Sequence, residues 1–110
     1  MTTTERIAEI RKQLKEAFKG YKFSVVKRHY NGVDIAVLSA PYPMTDAQHQ
    51  TVNPYYIRES FEGRTQEDLL KIREIAYSGV TYRETGDYGS QPDLYIDISI
   101  GKWNRPFQVN

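Results

Sequence analysis

Cysteine is absent from the 110 residues. That excludes disulfide frameworks, thiolate metal sites and cysteine nucleophiles together. It is compatible with a reducing compartment. Histidine is scarce: only His29 and His49 occur, too far apart in sequence for the usual spacing of zinc ligands. A nucleophilic triad therefore lacks a recognisable base, and no Gly-x-Ser-x-Gly elbow supplies its nucleophile. No apolar run approaches the roughly 18–20 residues of a membrane span. The opening Met1-Thr2-Thr3-Thr4-Glu5-Arg6 has neither the basic nor the apolar region of a secretory signal. These absences lead us to expect a soluble, cytoplasmic protein with no membrane association.

Two further patterns fall short of a site. Asp87, Asp93 and Asp97 are the densest carboxylates on one turn and strand, but their spacing fits no EF-hand loop. Gly86-Asp87-Tyr88-Gly89 lacks the Gly-Lys-Ser/Thr or dinucleotide pattern of a phosphate loop. The chain is thus expected to be non-enzymatic, with no cofactor and no metal.

The remaining composition fits one domain spanning residues 1–110, long enough to bury a core without staples. The formal net charge is +1, but it is unevenly spread. Residues 1–30 carry eight Lys/Arg against three Glu, a net of +5; residues 31–110 carry seven against eleven, a net of −4. Such asymmetry either marks an anionic partner for the basic part or draws the two halves together.

Ile7, Ile10, Leu14 and Ala17/Phe18 recur at helical spacing, with threonines before them and Gly20 after. They predict a helix over about 4–19. Two alternating runs then flank Asn31-Gly32, the strongest short-range hairpin signal. A two-residue loop would set Val25 against Leu38 and split the apolar residues between faces. A three-residue loop, Tyr30-Asn31-Gly32, sets His29 against Val33 and Val25 against Val37, so that Phe23 and Val25 share a face with Val33, Ile35 and Val37. The second is preferred, with Gly32 as the αL residue of a G1 bulge and Arg28 opposite Asp34.

Pro41-Tyr42-Pro43 stops the second strand. Met44–Asn53 reads as a polar loop, and Tyr55-Tyr56-Ile57 as a short extended segment. Thr65 reads as the N-cap of a second helix, with Leu69, Ile72, Ile75 and Ala76 inward and Gly79 at its end. Residues 84–92 are rich in turn formers. Leu94, Ile96, Ile98 and Ile100 alternate with Tyr95, Asp97 and Ser99 in the clearest strand of the chain. Gly101 is a candidate break in that strand, and Phe107-Gln108-Val109 a short final one. The sum is an α+β fold: a small antiparallel sheet of hairpin and C-terminal strands, with two helices on one face.

Phe23-Ser24-Val25 after a basic helix, Tyr55-Tyr56-Ile57, and above all the run from Tyr95 through Gly101-Lys102-Trp103-Asn104-Arg105-Pro106 to Phe107 resemble the large polyvalent protein-associated domains. The resemblance extends over about 5–109. It implies a small module of phages, plasmids and conjugative elements, and no established catalytic motif.

Two surfaces are candidates for function. Arg11, Lys15, Lys19, Lys22 and Arg28 make a basic stripe able to neutralise phosphates, with tyrosines available for stacking on bases. Tyr95, Asp97, Lys102, Trp103 and Arg105 cluster on and after the last strand, and tyrosine, tryptophan and arginine are the residues that anchor interfaces. Trp103 caps the core if the bend at Gly101 turns it inward and is an interface anchor if it does not. The second sheet face would carry Val26, Ala36, Leu38 and Tyr95, too apolar to be fully wetted. It is covered by the chain from Pro41 to Ile57, or by a partner, or by a second copy in a homodimer. The leading expectation is a non-catalytic interaction module from a mobile genetic element that binds a host or element protein, an anti-defence factor being one such role; a nucleic-acid-binding accessory domain using the basic stripe is the alternative.

Overall fold

The apolar stripe of the first helix does what its spacing requires: Ile7, Ile10 and Leu14 are all buried in α1 (Thr3–Ala17), and Phe18 just beyond it joins them. The computed structural model of the protein describes residues 3–28, 32–80, 82–84, 90–92, 94–102 and 104–110. After α1 come β1 (Lys22–Arg28), β2 (Gly32–Ala40), β3 (Gln50–Val52), α2 (Ile57–Ser60) and α3 (Gly63–Tyr77). The chain continues through β4 (Tyr82–Glu84), β5 (Ser90–Pro92), β6 (Tyr95–Ile100) and β7 (Gln108–Val109).

The fold is α+β, as the sequence predicts, but the sheet is mixed rather than antiparallel. Its order is β1-β2-β6-β3, with β7 also on β2, while β4 and β5 pair as a separate two-stranded sheet. β2 pairs antiparallel with β1 but parallel with both β6 and β7. More than fifty residues separate β2 from β6, ample for the crossover that a parallel pair needs.

The hairpin register differs from expectation while keeping its purpose. Val25 faces Ile35 and Phe23 faces Val37, with Arg28 opposite Gly32. This is a slip of two residues from the predicted pairing of Val25 with Val37. A slip of two preserves parity, so the apolar sets still share one face. Gly32 consequently belongs to β2 and is not among the glycines with positive φ. Glycine is required there by close approach instead: a Cβ would lie 2.6 Å from the Arg28 carbonyl oxygen. His29, Tyr30 and Asn31 lie outside the described residues.

The core forms between this sheet face and the two long helices. Val25, Val33, Ile35, Val37, Val52, Ile96, Ile98 and Ile100 come from the strands; Ile7, Ile10, Leu14, Leu69, Ile72 and Ile75 come from α1 and α3. Three local expectations change. Part of the supposed loop, Gln50–Val52, enters the sheet as β3, antiparallel to β6. Ile57 is not extended but opens the short helix α2, where it is buried. Helix α3 starts at Gly63 with Glu62 as an extended N-cap that makes no side-chain cap bond, so Thr65 is not the cap.

A polar cluster ties α3 to the rest. The Tyr21 and Tyr42 hydroxyls both donate to Asp68 Oδ2, at 2.6 and 2.7 Å. Arg64 stacks over the Tyr42 ring, 4.2 Å from its centroid. Burial and the bond to the Asp68 carboxylate raise the pKa of both phenols, that of Tyr42 far more.

Beyond β6 the chain leaves the sheet and returns. Gly101 has φ +75 and donates its N–H to the Val37 carbonyl at 2.8 Å, so the expected break at this glycine is present. Lys102 and Arg105 then form an isolated antiparallel bridge. Residue 32 faces 95 and residue 39 faces 108, so the offset between β2 and its neighbour grows from 63 to 69. The offset thus grows by six between β6 and β7.

Candidate interaction surface

Helices α1 and α3 occupy one face of the sheet; the other carries the outward residues of β1, β2, β6 and β3. Pairing sets these in rows. Arg28, Gly32 and Tyr95 form one; Val26, Asp34 and Asp97 the next; Ser24, Ala36, Ser99 and Thr51 a third. Because Gly32 has no side chain, Arg28 can cross β2 and pair with Asp97 two strands away. Its Nη1 also lies 3.5 Å from Asp34 Oδ1. The cross-strand partner Asp34 was expected for Arg28; the register makes that contact diagonal and adds Asp97.

One cation thus bridges two carboxylates on adjacent parallel strands. Side-chain exposures of 36–55% leave all three in contact with solvent. Exposed pairs of this kind contribute little to stability, on the order of 1 kcal/mol or less. Their effect is to fix where charge is displayed. A cleft of about 450 Å³ opens beside them, lined also by His49, Thr51, Ser99, Lys102 and Asn104. A second groove, of about 540 Å³, shares Arg28 and Asp97 and runs past Tyr95, Pro54, Tyr55 and Tyr77.

The candidate partner residues largely converge here. Tyr95 and Asp97 project from β6 onto this face, Tyr95 with 46% exposure. Lys102 follows at the far end of β6, in the cleft. Arg105 is exposed and lines a neighbouring groove with Lys22 and Leu38. Trp103 lies outside the described residues. Of the apolar face residues, Ala36 and Leu38 are buried, whereas Val26 is 38% exposed. The face is therefore partly covered, and its open part lies around Val26 and Tyr95. Tyr55 and Tyr56, exposed by 70% and 57%, were read as an extended segment and as part of the family resemblance, not as candidate partner residues. The only signal for them was two adjacent tyrosines before an isoleucine.

Of the five residues of the basic stripe, the structure separates Arg28 from the rest. Arg28 sits on the helix-free face, engaged by Asp34 and Asp97. Arg11 donates from Nε and Nη2 to the Val25 carbonyl, at 3.1 and 2.5 Å. Lys15, Lys19 and Lys22 remain exposed. Among the described residues, no group of three His, Asp or Glu side chains could hold a metal ion, and no helix is long and apolar enough to cross a membrane.

No curated protein and no solved structure matches the chain. A family model, large polyvalent protein associated domain 29, matches residues 1–88. The matched span holds both long helices, the hairpin and β3, but stops short of β6 and of the Gly101–Phe107 stretch on which the resemblance chiefly rested. With four-fifths of its length inside that match, the chain belongs to the family of large polyvalent protein associated domain 29.

Proposed function

We propose that this protein is a non-catalytic interaction module of a mobile genetic element, acting in the cytoplasm of the host and binding a protein through the helix-free face of its sheet. One observation carries the reading. Tyr95 and Val26 are exposed on a rigid sheet, next to the Arg28–Asp34–Asp97 charges. An aromatic side chain held on a strand offers contact area at low entropic cost, and ordered charges beside it supply orientation and specificity. Arg28 and Arg11 are both engaged within the fold, which weakens the nucleic-acid alternative. A host defence protein is the kind of target that a mobile-element module of this size would be expected to engage.

Site-specific crosslinking tests it. A photoreactive phenylalanine at Tyr95 should trap one host protein reproducibly, while the same group at Glu67, exposed on α3, should not. Trapping that is equal from both positions, or retardation of generic single- or double-stranded nucleic acid that falls steeply with salt, would count against the reading.

A further inference from the structure

Among the described residues the sheet ends on β1, which pairs there with β2 alone. On an end strand every second residue turns its backbone N–H and C=O away from the neighbour, leaving a row of unpaired groups. At Val25 that need is already visible: its carbonyl is taken by the side chain of Arg11, reaching over from α1. The contact also fixes which flank of the helix borders the strand. Lys15 is one turn after Arg11 and shares its face. At 100° per residue the flank next to β1 holds Thr4, Ala8, Arg11 and Lys15, while Lys12 lies further round beside Glu5 and Glu16. Lys22 and Lys27 are exposed on the strand itself.

We propose that the open edge of β1 is a docking site for an acidic extended segment of a partner protein, which joins the sheet as a further strand beside the basic flank of α1. Main-chain hydrogen bonds supply the attachment, as in other strand additions, and alternate side chains supply the choice. Charge selects the occupant. A second copy of this chain would set Lys22 against Arg28 if paired antiparallel about Val25, and Lys22, Lys27 and Arg28 each against itself if paired parallel in register; like charges across a pair are destabilising. An acidic strand meets lysines on β1 and on α1 at once. Arg11 then exchanges the Val25 carbonyl for a carboxylate, so the edge is guarded until a segment of the right charge arrives. This is a different surface from the helix-free face, and neither proposal depends on the other.

The test uses the full chain and synthetic peptides as long as β1, one alternating valine with glutamate and one alternating valine with lysine. Binding is followed at low salt by amide hydrogen exchange. The glutamate peptide should bind and slow exchange along β1 while leaving β6 unchanged, and a central proline in the peptide should abolish this. Lys15→Glu with Lys27→Glu should weaken its binding by about tenfold or more, roughly 1.4 kcal/mol, and should create binding of the lysine peptide. Three results overturn the proposal. One is no binding at about millimolar peptide. Another is equal binding of a single-stranded oligonucleotide or polyglutamate without protection of β1, which makes the flank a general polyanion surface. The last is protection of β1 by concentration-dependent self-association without peptide, which makes the occupant a second copy.

Discussion

Gly101 is the position where one added carbon should do most damage. A Cβ there would stand 2.5 Å from the Gln48 carbonyl oxygen and 2.8 Å from the Phe107 nitrogen. Those two atoms are the acceptor and donor of a hydrogen bond 2.9 Å long. The methyl of Gly101→Ala would therefore wedge between backbone groups from two segments, neither of which can turn aside as a side chain could. The φ of +75 adds the usual penalty of an L-residue in the left-handed region, about 1–2 kcal/mol. Losing the bond and leaving its groups poorly paired adds about 1–3 kcal/mol. The expected loss is about 3 kcal/mol, read from urea unfolding with an unchanged slope. Gly20 is the internal control: its φ is +88, but a Cβ would meet nothing within 4 Å. Gly20→Ala should cost only the backbone part, about 1 kcal/mol. Equal losses at the two glycines would refute the wedge and leave backbone strain as the whole effect.

Gly32→Ala should destabilise by about 1 kcal/mol or more through the Arg28 carbonyl 2.6 Å from its Cβ; unchanged urea unfolding would contradict that close approach. Arg28→Ala should cost no more than about 1 kcal/mol, since its ion pairs are exposed, yet should weaken capture of the protein trapped from Tyr95. Tyr42→Phe should lower stability by about 1.5–3 kcal/mol, the net value of its bond to the Asp68 carboxylate. It also has a pH signature. The folded phenol holds its proton above the ordinary tyrosine range, so its stabilising contribution is complete below about pH 10 and is lost as pH rises toward the folded value. Unfolding at alkaline pH should therefore be less steep in Tyr42→Phe, and an unchanged alkaline limb would remove Tyr42 from the explanation.

Elements with a strong period were legible from the residues alone. Four alternating apolar residues gave β6, and Ile7, Ile10 and Leu14 gave α1. What periodicity does not carry is who pairs with whom. β3 and β5 are each three residues long, too short to alternate visibly, and exist because a neighbour supplies their hydrogen bonds. The parallel pairing of β2 with β6 joins strands more than fifty residues apart, a distance over which no local pattern carries information. The site follows the same division. Tyr95 and Asp97 were readable as outward residues of an alternating strand. Their neighbours Arg28 and Thr51 were not, because β1 and β3 bring them from distant parts of the sequence. Arg11 looked like part of a helix stripe; only the proximity of an end strand gives its guanidinium a carbonyl to bind.

The six-residue departure between β6 and β7 has a consequence for how this protein can change. Because six is even, excising Lys102–Phe107 would leave Gly101 beside Leu38 and Gln108 beside Ser39 in one uninterrupted strand, every side chain still on its original face. The departure is therefore an appendage to a strand whose pattern is complete without it. It also carries Lys102 and Arg105, two of the surface residues, and lies beyond the residues that the family model matches. Since β7 is placed by its own pairing with Ser39 and Ala40, a change in the length of this segment leaves the helices, the hairpin and the face of every sheet residue as they are.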